Sequence, residues 1–294
     1  MKYRERVRVS AGTGGGMNRS QVSQFRELAK YYDVLNFGKD YRGESEKLEA
    51  IARRFGRAGR TSWLDVACGT GRHLEFLGHR HPATGVDVSR EMLRVARRRL
   101  SGIRLVLGDM RTFRLNRRFD VVSCLFGAIG HLRNKDEVRM TFANIARHLN
   151  PGGVAIVEPW IAPSAWRHGM IQLQTYESPT LIVARGASSS RRGRRSIIHW
   201  HYLVGESGRA IRYFEATDVG LLLAREELLT LLKESGLRPR FLSRGLVPGR
   251  GLLVAVKGRT DGPARPGGAR ERRPSRDVRG HHSGRVGLER ATGA

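Results

Sequence analysis

Residues 64–74, LDVACGTGRHL, hold the end of an apolar run, a glycine turn and the start of a helix. SWLDVA (62–67) predicts a short buried strand and GRHLEFLGH (71–79) a helix. A strand, a glycine turn and a helix in that order place a ligand at the carboxyl end of the strand. Gly69 and Gly71 let the backbone approach that ligand closely, and the helix start offers free N–H groups to a carboxylate or phosphate. A dinucleotide fingerprint would need a third glycine where Leu74 stands, and a P-loop would need Gly-Lys-Ser/Thr. Neither is present, so this loop points to the architecture and leaves the ligand open.

Outward from it, strands and helices alternate. ATGVDV (83–88) reads as a strand and SREMLRVARRRL (89–100) as a helix with Ser89 as its N-cap. IRLVLGD (103–109) and FDVVSCL (119–125) are strands, and KDEVRMTFANIARHL (135–149) is a helix stopped at Asn150-Pro151-Gly152-Gly153. GVAIVEP (153–159) is a fifth strand, and VSQFRELAKYYDVL (22–35) has helical spacing. The fold class is therefore α/β, a doubly wound, mostly parallel Rossmann-like sheet. After the fifth strand the pattern changes. LIVA (181–184), SIIHWHYLV (196–204) and AIRYFEATDVGLLL (210–223), joined by SSSRRGRR and GESG, read as inserted antiparallel hairpins. REELLTLLKESG (225–236) and GLLVAVKG (251–258) return to the main sheet. The expected organisation is a basic, disordered 1–20, a ligand-binding core over 21–160, an insertion over 161–224, a return over 225–258 and a disordered tail over 259–294.

Composition narrows the classes. The net charge of +27, from 54 Lys+Arg against 27 acids, suggests nucleic acid or an anionic surface. The excess is spread along the chain, largely as arginines on ordinary helices such as RVARRRL (94–100), which is also what a GC-rich genome gives; a phosphate-bearing substrate is compatible with it. Cys68 and Cys124 stand alone, which excludes a zinc ribbon or a disulfide scaffold and suits a reducing cytoplasm. No apolar run reaches the roughly 18 residues of a spanning helix, so a soluble, cytoplasmic protein is expected. His199 and His201 flank Trp200 and point to the opposite face from it, with no acid at ligand spacing, and the His281-His282 pair sits in the tail, so no metal is expected.

Acids stand at successive strand ends. Asp87, in GVDVS, suits a ribose diol; Asp109, in Gly108-Asp109-Met110, suits an adenine amino group, with Met110 packed on the ring. Asp65, inside the first strand, suits an ammonium group. Singly each acid is a cap or turn residue; jointly they describe a pocket for a cationic, adenosine-containing ligand. Strand 119–125 must then end beside that pocket, which brings His131 of FGAIGHL (126–132) to it.

LDVACGTGRHL, GVDVS, GDM, FDVVSCLFGAIGHL and LNPGGVAIVEP, in this order, resemble the class I S-adenosylmethionine-dependent methyltransferases. KDY (39–41), GRHL, GDMRTF, VEPW (157–160), HWHYLV (199–204) and GRGLL (249–253) are further similar to the N,N-dimethyltransferases of nucleotide-linked deoxyaminosugars of the desosamine and mycaminose type. The likeness runs from about Leu28 to Lys257; Ile161 follows VEPW where the family carries another aromatic. It implies that Asp65, Gly69 and Gly71 hold the methionine end of the cofactor, Asp87 the ribose, and Asp109 with Met110 the adenine. Ala67, Thr70, Val88, Met92 and Leu125 would complete the cofactor site. Tyr41 and His131 would face the reacting amine, Phe126 and the small residues of FGAIGHL would form the wall that leaves space for a methyl group, and Arg250 would meet the substrate's diphosphate. Tyr32, Phe126, Glu158 and Trp160 would line the acceptor side, Glu158 and Trp160 being equally suited to structural roles. The implied partner is a small acceptor, a nucleotide-diphosphate sugar, and the insertion is either a lid or a homodimer surface. The rival functions are methylation of another small metabolite or of RNA, and non-catalytic binding of the cofactor.

Overall fold

The computed structural model describes residues 29–56 and 61–258. The expected disordered ends at 1–20 and 259–294, and the first half of the expected helix over 22–35, lie outside the described residues.

The main sheet has seven strands: β1 (Trp63–Val66), β2 (Ala83–Asp87), β3 (Arg104–Leu107), β4 (Phe119–Cys124), β5 (Leu149–Val157), β10 (Leu237–Leu242) and β11 (Leu252–Lys257). Their order is β10-β11-β5-β4-β1-β2-β3. β5, β4, β1, β2 and β3 pair in parallel, and β11 runs antiparallel to both of its neighbours. Alternate residues of these apolar strands feed two cores, as a sheet covered on both faces requires. On one face Leu64, Val66 and Val122 pack against Val138, Phe142 and Ile145 of a helix at Lys135–Arg147. On the other, Trp63, Val121 and Val154 meet Leu48 and Ile51. The strand order reverses where β4 returns beside β1, and a crevice opens outside the carboxyl ends at such a switch point.

Two elements of the main sheet and its covering helices were not expected, and in the insertion neither was the strand Ile171–Ser178. Leu48 and Ile51 lie on a fifteen-residue helix, Tyr41–Phe55, capped by Asp40, which accepts from Gly43 N at 2.9 Å. Its buried face also carries Glu44 and Glu49, and these acids break the amphipathic pattern. Each has partners: Glu44 faces His73 at 2.7 Å, and Glu49 accepts from Arg80 Nε at 2.7 Å. β10, LRPRFL, is an edge strand, where Pro239 is tolerated because one side of the strand lacks a neighbour. The helix expected to run to Leu149 ends at Arg147, and the Asn150–Gly153 segment expected to stop it lies inside β5, whose Leu149 pairs with Phe119 across a register shift.

The insertion forms a separate antiparallel sheet, β6 (Ile171–Ser178), β7 (Leu181–Arg192), β8 (Arg195–Glu206) and β9 (Arg212–Leu221), in sequential order. SSSRRGRR, expected as a connector, mostly extends β7 and β8 about a tight turn at Gly193. The sheet's outer face exposes Leu173, Ile182, Leu203 and Tyr213, while its inner face turns Trp200, Tyr202 and Asp218 toward the crevice. Tyr31, just before a single helical turn at Tyr32–Leu35, and Leu35 at its end pack on Val183, Tyr202 and Val204 of that inner face. Asp33, in the same turn, accepts from Thr70 Oγ1 at 2.6 Å and pairs with Arg99, so this segment straps the insertion to the glycine loop. Among the described residues no helix is long and apolar enough to cross a membrane.

Candidate active site

A cavity of about 400 Å³ lies at the carboxyl ends of β1 to β4, with the inserted sheet as its roof. At its floor are Ala67, Gly69, Asp87, Val88 and Met92. Ser89 caps the following helix by accepting from Met92 N at 3.2 Å, as its type predicts. The Asp87 carboxylate accepts from Gly69 N and Ser89 N, both at 2.8 Å. Burial lifts its pKa, and the backbone N–H groups partly reverse that. Asp109 and Met110 line the adjoining wall, as do Arg111 and Glu137. Arg111 grips Asp109 through Nε at 2.9 Å and Nη2 at 2.6 Å and donates to Glu137 at 2.6 Å. Burial of Asp109 is outweighed by this arginine, and its pKa is lowered.

Among the described residues, two non-glycine positions have left-handed backbone, Ala67 (φ 59°) and Phe126 (φ 56°). They follow β1 and β4 closely in sequence, and both line the cavity. Such conformations cost about 1–3 kcal/mol each and persist where surroundings enforce them. Glu158 is one enforcer: fully buried, it accepts from Phe126 N at 2.6 Å. It does not line the cavity; it holds the turn that does. Its other oxygen has no hydrogen-bond partner, and burial raises its pKa against the pull of Arg250.

Trp160 fills a slot made by glycines. A Cβ on Gly130 would lie 2.7 Å from Trp160 Cβ and Cγ, one on Gly127 2.6 Å from its ring, and one on Gly220 of β9 2.5 Å from its Nε1. The small residues of FGAIGHL therefore accommodate a tryptophan and do not directly make space for a methyl group. Trp160 Nε1 donates to Ser196 Oγ at 3.0 Å, joining the core to the roof. Arg250 lies 4.9 Å over the Trp160 ring and 5.9 Å from that of Phe126, and its buried Nη1 has no hydrogen-bond partner. Burial lowers its pKa, opposed by Glu158 and Tyr32.

His131 ends a 3-10 turn at Ala128–His131, and its Nδ1 lies 3.2 Å from Asp218 Oδ1 of β9. Burial disfavours the imidazolium, but Asp218 and Asp87 outweigh it and the pKa is raised. Tyr32 and Leu125 complete the wall between floor and roof.

Other expected residues lie behind this lining. Asp65 is buried in β1, where it accepts from Ser123 Oγ at 2.7 Å. Burial pushes its pKa to about 6 despite His73 and Ser123. Thr70 is turned to Asp33, and Gly71 (φ 77°) is packed under Leu100. Tyr41 is buried edge-on against His73 at 5.0 Å, with Arg72 5.1 Å over its ring, and does not line the cavity. Residues that the sequence reading did not place here are Asp218, Tyr202, Arg185, Gln172 and Trp166, all lining the cavity from the insertion side. The alternation in HWHYLV puts Trp200 and Tyr202 on one face; nothing local marks Asp218, whose place follows from its register with Ile198.

A family model described as a methyltransferase domain matches residues 64–153. The dTDP-3-amino-3,6-dideoxy-alpha-D-glucopyranose N,N-dimethyltransferase of Streptomyces fradiae is 38% identical over 241 residues, 81% of this chain and 94% of that protein. The dTDP-3-amino-3,4,6-trideoxy-alpha-D-glucopyranose N,N-dimethyltransferase of Streptomyces venezuelae is 37% identical over 232 residues, 78% of this chain and 97% of that protein. Among solved structures, S-adenosylmethionine-bound CalS10, an amino pentose methyltransferase from Micromonospora echinaspora involved in calicheamicin biosynthesis, superposes with a TM-score of 0.68. It is 32% identical and covers 87% of this chain and 100% of that one.

Proposed function

Because the chain belongs to the S-adenosylmethionine-dependent N,N-dimethyltransferases of nucleotide-linked aminosugars, we propose that it methylates the amine of such a sugar in the cavity beneath its inserted sheet. The observation that carries this reading is the cavity's composition. One end has the strand-end acids, the other has His131, Asp218 and Arg250 among aromatic rings, and a single enclosure holds both. A covering roof supports a small acceptor over RNA.

The residues fit the cofactor. Asp65 is a buried acid bonded to the neutral Ser123 hydroxyl, and burial raises its pKa; a ligand ammonium beside it would stabilise the carboxylate. Asp87 has lone pairs beyond the two N–H groups it accepts, which suit ribose hydroxyls. Asp109, held by Arg111, and Met110 suit the adenine. S-adenosylmethionine supplies the methyl group on a sulfonium, already a good leaving group. The chain's own residues must then exclude water and align the acceptor, which can supply at best about 7–11 kcal/mol of the barrier. His131 is placed to take the amine's proton. Arg250, whose buried Nη1 has no hydrogen-bond partner, supports a contact to the acceptor's diphosphate, and a depression on the other side of Phe126, bordered by Lys47, Arg185, Asp40 and the Lys39–Glu44 ion pair, supports a site for the nucleotide. The exposed apolar outer face of the insertion supports a homodimer, since a monomer leaves it in water.

The direct test is S-adenosylhomocysteine release with a dTDP-linked aminosugar, the same sugar without its nucleotide, and bulk RNA. Turnover of the first alone is expected; turnover of RNA alone would discard the reading. Arg250→Ala should raise KM for the nucleotide-linked sugar by about tenfold or more, the worth of a charge-assisted contact, while changing S-adenosylhomocysteine affinity little. An unchanged KM would remove Arg250 from the diphosphate site.

Cofactor affinity should also depend on pH. Asp65 must be ionised to hold an ammonium, and its pKa in the free protein is pushed to about 6. Above that pH the carboxylate is already formed. Below it a proton must be displaced, so Kd should rise about tenfold per pH unit. Calorimetry with S-adenosylhomocysteine between pH 5 and pH 8 should show the break, and Asp65→Asn should weaken binding and abolish it. A flat profile in the wild type would refute the assignment.

A further inference from the structure

We propose that Asp218 is a positioning residue for the transfer: it holds His131 by Nδ1 and stabilises the imidazolium that forms when the acceptor's ammonium gives up a proton. This rests on the reading of the cavity as an aminosugar methyltransferase site. The two side chains come from different parts of the fold. His131 closes the turn after β4, whereas Asp218 is carried in by β9 beside Ile198 and faces the cavity with Trp200 and Tyr202. Both are largely withdrawn from solvent, with side-chain exposures of 22% and 25%, and their separation is 3.2 Å. An acid in so apolar a wall needs a partner. In a chain with 54 Lys+Arg and 27 acids an arginine was the ready choice. An arginine would have fixed the charge permanently; a histidine leaves a site whose proton comes and goes near neutrality.

The chemistry needs such a site twice. An amine attacks only as the free base, and each methylation leaves a cationic ammonium that must be deprotonated before the next. In the proposed step the ammonium N–H bond breaks and its electron pair stays on nitrogen. The proton takes the lone pair of His131 Nε2, the basic nitrogen when the Nδ1 proton faces Asp218. The resulting imidazolium would share a dry cavity with the sulfonium, and like charges there repel strongly. Asp218 offsets that charge, as does Asp87 from the cavity floor. The Tyr32 and Tyr202 hydroxyls interact electrostatically with Asp218, and both residues line the same cavity, as do Arg185 and Arg250. Beside them, Trp160 lies 6.3 Å from the His131 ring.

Asp218→Asn keeps the shape and removes the charge. Two measurements decide the matter. The first is the titration of the His131 imidazole C–H signal by NMR in the S-adenosylhomocysteine complex, assigned with His131→Asn. Because Asp218 raises the His131 pKa, its midpoint should fall by about one pH unit in Asp218→Asn. The second is the pH profile of kcat/KM. Its acidic limb should move to lower pH by a similar amount, while the plateau kcat falls on the order of 10- to 100-fold. Asp218→Glu should restore much of both. An unmoved titration, or an equal loss at every pH, would overturn the proposal and leave Asp218 a packing residue. Should Asp218→Asn lose the fold, the shift is read between wild type and Asp218→Ser, which also lacks the charge, and identical midpoints and limbs there would equally overturn it. Failure of the wild type to turn over any nucleotide-linked aminosugar would count against the proposed function, whereas the NMR titration reads the coupling without turnover.

Discussion

Replacing Asp87 with alanine is expected to weaken S-adenosylhomocysteine binding at least about a hundredfold, the largest effect on cofactor affinity from any one side chain here. The ribose diol loses a charged acceptor, worth about 1.5–3 kcal/mol, and the upper figure corresponds to roughly 150-fold in Kd. The Gly69 and Ser89 N–H groups lose an acceptor at 2.8 Å, which lowers folding stability and is read separately in the thermal midpoint. Asp87→Asn retains one carbonyl oxygen and should fall between, at about tenfold. Calorimetry with folded variants checks this, and an affinity within threefold of wild type for Asp87→Ala would exclude the residue from the cofactor site.

Gly130→Val should act on the other half of the site, lowering kcat/KM at least about a hundredfold with cofactor affinity within threefold of wild type. Unlike Gly127, with its φ of 70°, Gly130 does not have a left-handed backbone, so the effect is steric. The added Cβ would sit 2.7 Å from Trp160 Cβ and Cγ, atoms at the stem of the side chain that cannot swing aside. Trp160 must then leave its slot and take Arg250, 4.9 Å away, out of register with the acceptor. Overpacking of this kind costs about 1–3 kcal/mol, so the thermal midpoint should drop by several degrees as well. Steady-state kinetics with a dTDP-linked aminosugar and a melting curve test both halves. Wild-type kcat/KM would mean that Trp160 does not shape the acceptor site.

The parallel sheet and the strand-end acids were legible because their signals are local: turn glycines, apolar runs and a carboxylate one or two residues past each run. Where partners come from elsewhere in the chain, the sequence was mute or misleading. Glu44 and Glu49 disguised the helix Tyr41–Phe55 because their partners His73 and Arg80 lie on and just after a later helix. Pro239 masked an edge strand that does not need every N–H. His131 could be placed by the strand before it, but Asp218 reaches it through hairpin register, which composition does not encode. Gly127 and Gly130 were visibly special, yet their reason, a tryptophan from beyond the next strand, was not visible. Tyr41, read as facing the amine, is packed behind the lining by His73 and Arg72.

The two sheets divide the labour in a way that bears on how such enzymes diversify. Everything proposed to grip the cofactor belongs to the parallel core, whereas Asp218, Trp200, Tyr202 and Arg185 are borrowed from the four inserted strands. Exchanging those strands as a cassette would alter which sugar is accepted without rebuilding the nucleoside site. The seam is narrow, because a transplanted roof must keep a glycine at 220 and a hydroxyl at 196 for the indole that pins it down. Variation in acceptor choice is thus cheap across much of the insertion and constrained at positions 196, 218 and 220, a pattern that directed evolution of new substrate scope can exploit.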